Sequence, residues 1–138
     1  RSMTVRHSTE QMYNLVNDIE AYPEFLPWCV GSTVLSRNED EIYATLVLSY
    51  GGLRKSFTTC NRLQKNKMIE IRLVDGPLSQ LEGFWQFETI SKTSSKVVLD
   101  LEFEIAHKLF NLPFQAIFHQ VANSLVDAFH QRANAIYK

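Results

Sequence analysis

The chain has 138 residues, 45% of them hydrophobic and 21% charged, the balance of an ordinary globular protein long enough to bury a core. A net charge of -1 excludes a whole-chain electrostatic pull on nucleic acid, so DNA is not an expected partner. No apolar run approaches the roughly 18 residues that span a bilayer. Cys29 and Cys60, with no CxxC spacing and no secretory segment, read as reduced thiols.

Arg1-Ser2-Met3 is set outside the fold, and residues 4–138 are taken as a single domain. Residues 4–7 predict a short strand. Ser8 or Thr9 then offers an N-cap to an amphipathic helix with Met12, Leu15, Val16 and Ile19 inward. The connector that follows, Tyr22-Pro-Glu-Phe-Leu-Pro-Trp-Cys29, carries three aromatics and two prolines. Its prolines bias the residues before them away from helix, so the segment is stiff and apolar. It either plugs a core or walls a cavity.

From residue 30 to about residue 106 the hydrophobic period is two. Ile42, Ala44, Leu46 and Leu48 form one face; Gly51-Gly52 turns the chain into residues 53–63, where Phe57 alternates with Ser56 and Thr58. Asn66-Lys67 and Asp75-Gly-Pro77 make further breaks, and Trp85 and Phe87 share a face. In residues 97–105, Val97, Leu99, Leu101, Phe103 and Ile105 oppose Asp100, Glu102 and Glu104. Residues 112–137 read as one long helix whose apolar sector holds Phe114, Phe118, Val121, Leu125, Phe129 and Ile136. The fold class is therefore α+β: a curved antiparallel sheet of roughly six or seven strands gripping a long C-terminal helix.

These pieces together resemble the coenzyme-Q-binding branch of the START-like (helix-grip) superfamily, and within it the bacterial ribosome association toxins. The resemblance runs from His7 to Tyr137. It rests on Met12-Tyr-x-Leu-Val-x-Asp18, Tyr22-Pro-x-Phe-Leu-Pro-x-Cys29, Phe57-Thr-Thr, Leu73-Val-Asp-Gly-Pro77, Gly83-x-Trp-x-Phe87 and Ala128-Phe-x-x-Arg-Ala133. Leu78 stands where the bacterial pattern often has Phe, a conservative change. The resemblance implies an apolar tunnel for ubiquinone or a similar isoprenoid, with no cofactor otherwise required, in support of respiratory electron transport. For the toxin members it implies docking on the large (50S) ribosomal subunit and a block of subunit joining. The family's eukaryotic members carry a mitochondrial targeting segment that is not seen here, which places the chain with the bacterial members. A cytoplasmic location, peripheral to the inner membrane, follows.

The tunnel candidates are Tyr22, Pro23, Phe25, Leu26 and Trp28 from the connector, Phe57, Trp85 and Phe103 from the strands, and Phe114, Phe118, Val121 and Leu125 from the helix. Such residues line pockets and fill cores alike; only the resemblance favours a hollow interior. Arg132 falls inside the apolar sector, where a guanidinium needs a partner. It snorkels, pairs with a sheet carboxylate, or orients a quinone carbonyl. Leu109-Phe-Asn-Leu-Pro-Phe114 is apolar where a surface loop is expected and reads as a transient membrane contact or as a packed staple. His119, Asn123, Asp127 and His130 read as a solvated stripe rather than a metal site. Asp100, Glu102 and Glu104 read as the wet side of a strand. Arg54, Lys55, Arg62, Lys65 and Lys67, around two hairpin ends, are the candidates for ribosomal phosphate. No phosphate loop, nucleophile elbow or HExxH is present in the sequence, so a binding protein is expected rather than an enzyme.

Overall fold

The computed structural model describes residues 1–50, 52–105 and 112–137; the side chains of Leu53, Ile105 and residues 112–115 lie outside that description. Strand β1 spans Ser2–Val5, two residues earlier than the expected 4–7, because Ser2 and Met3 pair with Val98 and Val97. Ser8 caps helix α1 (Thr9–Asn17) with a reciprocal box. Its hydroxyl accepts from the Gln11 N–H at 3.1 Å, and the Gln11 side chain accepts from the Ser8 N–H at 3.0 Å.

The connector differs from expectation in its first half. Ile19–Glu24 winds as a 3-10 segment with Pro23 inside it. The Tyr22 carbonyl accepts the N–H groups of both Phe25 and Leu26, which closes the turn beyond the proline. Strands β2 (Cys29–Arg37), β3 (Glu41–Tyr50), β4 (Leu53–Gln64), β5 (Met68–Asp75), β6 (Leu78–Ser91) and β7 (Ser94–Ile105) follow. Together with β1 they form one antiparallel seven-stranded sheet in the order β1-β7-β6-β5-β4-β3-β2. Register shifts leave extra residues in β2, in β5 at Val74 and at both ends of β6, and such bulges deepen the twist that bends the sheet.

Helix α2 (Leu112–Ile136) lies against the inner face of the sheet. Phe118, Val121, Val126, Phe129 and Ala133 join the core. Ile136, expected inward, is 45% exposed. The end of the helix docks instead through Ala133 and through Tyr137, whose hydroxyl donates to the Gln11 carbonyl at 3.1 Å. Buried His7 ties three elements together: its ring nitrogen lies 2.8 Å from Asn134 Oδ1 on α2, and its carbonyl accepts from Ser95 Oγ on β7 at 2.8 Å. Among the described residues, no helix is long and apolar enough to cross a membrane. In the proposed membrane contact, residues 109–111 and the side chains of 112–114 lie outside the description.

Candidate functional site

Between α2 and the inner face of the sheet lies a cavity of about 90 Å³. Period-two alternation supplies its floor: Ala44, Leu46 and Leu48 from β3, Phe57, Thr59 and Asn61 from β4, Ile71, Leu81, Trp85 and Leu101 from the next three strands. The roof is Phe118, Val121, Ala122, Leu125 and Phe129, spaced by three and four along α2. Ile19, Tyr22 and Trp28 close one end. The Tyr22 hydroxyl donates to the Val16 carbonyl, and burial raises its pKa well above the ordinary tyrosine value. Phe129 forms the centre of an aromatic cluster, with ring centroids 5.3 Å from Tyr22, 5.1 Å from Phe25 and 5.1 Å from Trp85, all edge-to-face.

Of the tunnel candidates, Tyr22, Trp28, Phe57, Trp85, Phe118, Val121 and Leu125 line this space. The others do not. Pro23 is solvent-exposed at the end of the 3-10 segment. Phe25 and Leu26 line an outer groove of about 460 Å³ between the connector and α2, and Trp28 separates that groove from the inner cavity. Phe103 stands behind Phe118, with centroids 4.7 Å apart. The Phe114 side chain lies outside the description.

Arg132 also belongs to the outer groove. Its Nη2 donates to Glu24 Oε1 at 3.1 Å, and its guanidinium carbon sits 5.1 Å from the centroid of Phe25. The partner carboxylate therefore comes from the connector, not from the sheet, and Arg132 does not reach a ligand in the inner cavity. With Glu24 64% exposed, the ion pair contributes little to stability.

Eleven of the eighteen cavity residues are absent from the expected set, and two of these are polar. Thr59 and Asn61 are 7% and 8% exposed, and the Thr59 hydroxyl donates to Asn61 Oδ1 at 3.0 Å. The alternation that turns Phe57 inward turns both of them inward too, so the signal was present; polar residue types hid it.

The polar stripe on α2 does not converge. His119 stacks near Phe103 at 4.9 Å, Asp127 lies 3.7 Å from the Arg1 guanidinium, and His130 neighbours Asn134. On the outer sheet face, Glu41, Glu70, Glu82, Asp100 and Glu102 surround Arg62 and Arg72 in an open groove of about 600 Å³. Arg62 is in register with Glu41 and Glu70 in the acidic groove, a setting that disfavours phosphate. Arg54 and Lys55 lie at one end of β4, and Lys65 and Lys67 just beyond the other. At about 3.3 Å per residue that separation is roughly 35 Å, too far for one contact patch.

A curved antiparallel sheet closed by one long helix over an apolar cavity defines a helix-grip domain. The chain belongs to the polyketide cyclase / dehydrase and lipid transport family, whose model matches residues 5–130. It is 44% identical over 137 residues to the ribosome association toxin RatA of Vibrio cholerae serotype O1, covering 99% of this chain and 95% of the relative. The mitochondrial coenzyme Q-binding protein COQ10 of Dictyostelium discoideum is more distant, at 24% identity over 96% of this chain and 67% of its own. Among solved structures, the Zhui aromatase/cyclase from Streptomyces sp. R1128 superposes with a TM-score of 0.83 at 15% identity, covering 100% of this chain and 93% of that one. That likeness shows the shared fold alone.

Proposed function

We propose that this protein docks on the large (50S) ribosomal subunit in the cytoplasm and blocks its joining to the small subunit. The observation that carries this reading is the end-to-end match to relatives named ribosome association toxins. The protein acts here as a binding protein, without a catalytic step.

The size of the inner cavity weighs in the same direction. Pockets for drug-sized ligands begin near roughly 300 Å³, and about 90 Å³ holds only a fraction of an isoprenoid quinone. A second reading, ubiquinone binding in support of respiration, is favoured by the aromatic lining and by the distant relative named for coenzyme Q. It requires the cavity to open to several times its present volume.

The acidic outer sheet face repels ribosomal RNA, so docking uses another surface. In the antiparallel meander the β2–β3, β4–β5 and β6–β7 turns lie at one end of the sheet. That end carries exposed Lys65, Lys67 and Lys92. These cations are the phosphate-facing groups in this reading. Co-sedimentation with purified large subunits tests it. Wild-type protein is expected in the pellet fraction, with binding that weakens steeply as salt rises. The Lys65→Glu/Lys67→Glu double variant is expected to lose about tenfold or more in affinity while its thermal unfolding is unchanged. Equal binding by wild type and the double variant would remove this end of the sheet from the interface.

A further inference from the structure

We propose that the free edge of β2 is an interface to a second copy of this chain, an antiparallel strand pair about a two-fold axis at Thr33. The inference does not depend on the ribosomal reading. β2 ends the sheet, and among the described residues no strand lies on its open side. The connector meets it at its start, where the Cys29 N–H donates to the Leu26 carbonyl at 2.9 Å. Further on, Thr33, Leu35, Ser36 and Arg37 are exposed.

Pairing with β3 fixes which backbone groups of β2 face outward. The Asn38 N–H donates to the Glu41 carbonyl at 3.0 Å, and the Ser49 N–H donates to the Trp28 carbonyl at 2.8 Å. Bonded and unbonded positions alternate along an antiparallel strand. Counted from Glu41 or from Ser49, Ala44 and Leu46 are unbonded positions, and they lie opposite Val34 and Ser32. Ser32 and Val34 therefore turn their N–H and C=O groups to the open side. A two-fold at Thr33 pairs Ser32 of each copy with Val34 of the other, each pair exchanging both backbone hydrogen bonds.

The side chains suit this register. Val30 and Leu35, 47% and 59% exposed, are the residues left over at the two register shifts of β2. Leu35 falls opposite Gly31 of the second copy, where the missing side chain leaves Val47 open to it. Val47 Cγ2 lies 3.4 Å from where a Gly31 Cβ would stand. Charge favours an identical strand as the occupant. Residues 29–36 hold no charge and no proline, the devices that keep strand edges apart, and the two Arg37 side chains fall at opposite ends of the pairing. The other edge, β1, is flanked by Arg1 and Arg6, and pairing it with itself would set these like charges together. A two-fold contact closes at two copies.

Sedimentation velocity over a concentration series reads this association. A ladder this short makes a weak contact, so the wild type is expected to be monomeric near about 1 µM and mostly dimeric above roughly 500 µM. Thr33→Lys sets two ammonium groups side by side at the axis. It is expected to weaken the dimer more than tenfold, with thermal unfolding unchanged because Thr33 is exposed. Thr33→Cys, in a Cys60→Ser background, places two thiols across the axis close enough to bridge, so mild oxidation is expected to give a covalent dimer. Thr4→Cys on β1, in the same background, is expected to stay monomeric. A monomer at every concentration, growth beyond two copies, a dimer that Thr33→Lys leaves intact, or cross-linking by Thr4→Cys in place of Thr33→Cys would each overturn the proposal.

Discussion

Replacing Phe129 with alanine is expected to lower the unfolding free energy by about 3–5 kcal/mol, the range for truncating a large aromatic in a packed core. Phe129 is 1% exposed and touches the connector through Tyr22 and Phe25 and the sheet through Trp85. Removing its ring costs the transfer free energy of the lost atoms, and it enlarges a cavity that the same ring already borders. Three edge-to-face contacts also vanish at once, so the surroundings have little with which to refill the space. Urea unfolding followed by circular dichroism reads the effect as a fall in midpoint at an unchanged slope. Ile136→Ala on the same helix is the control. Its side chain is 45% exposed, and its effect is expected to stay within about 0.5 kcal/mol. A Phe129→Ala loss no larger than that of Ile136→Ala would mean that α2 is not gripped where these rings place it.

The second large effect lies in the sheet. A Cβ at Gly83 would come within 2.1 Å of the Asp100 carbonyl oxygen and 2.8 Å of the Leu101 Cα. Both are backbone atoms of the neighbouring strand, and Gly83 pairs directly with Leu101 in the long β6–β7 ladder. A side-chain end could swing aside; a ladder backbone cannot without separating the strands. Gly83→Ala is therefore expected to destabilise by at least about 3 kcal/mol, at the upper end of overpacking effects. Gly31→Ala makes the comparison, since its Cβ would meet Val47 Cγ2 at an ordinary 3.4 Å. Thermal unfolding of the two variants side by side separates steric approach at Gly83 from the general entropic effect of replacing a glycine.

Much of the fold was legible in the sequence because its periodicities are clean. The alternation in residues 97–105 gave the β7 inner face, and the spacing of Phe118, Val121, Leu125 and Phe129 gave the roof of the cavity. Ile136 failed because its helix ends against α1, where Tyr137 takes the docking contact; a wheel carries no information about where a partner stops. The 3-10 winding of Ile19–Glu24 was hidden by Pro23, which reads as a helix breaker until the neighbouring carbonyls are seen to close around it.

The candidate site was legible by face more than by residue. Tyr22 and Trp28 point toward the cavity while Phe25 and Leu26 line the outer groove, and which way a stiff loop presents each aromatic depends on tertiary packing. Arg132 was visible as an anomaly in the apolar sector. Its partner, Glu24, lies 108 positions away in sequence, and nothing local points to it. Thr59 and Asn61 follow the same period as Phe57, but polar residue types do not mark a position as part of an apolar pocket.

The proposed activity is association with the large ribosomal subunit to the exclusion of the small one. Light scattering of purified subunits mixed under joining conditions tests it most directly. Stoichiometric protein, added to large subunits first, is expected to suppress the rise in scattering, and added large subunits are expected to restore it. An undiminished rise in the presence of folded, excess protein would contradict it.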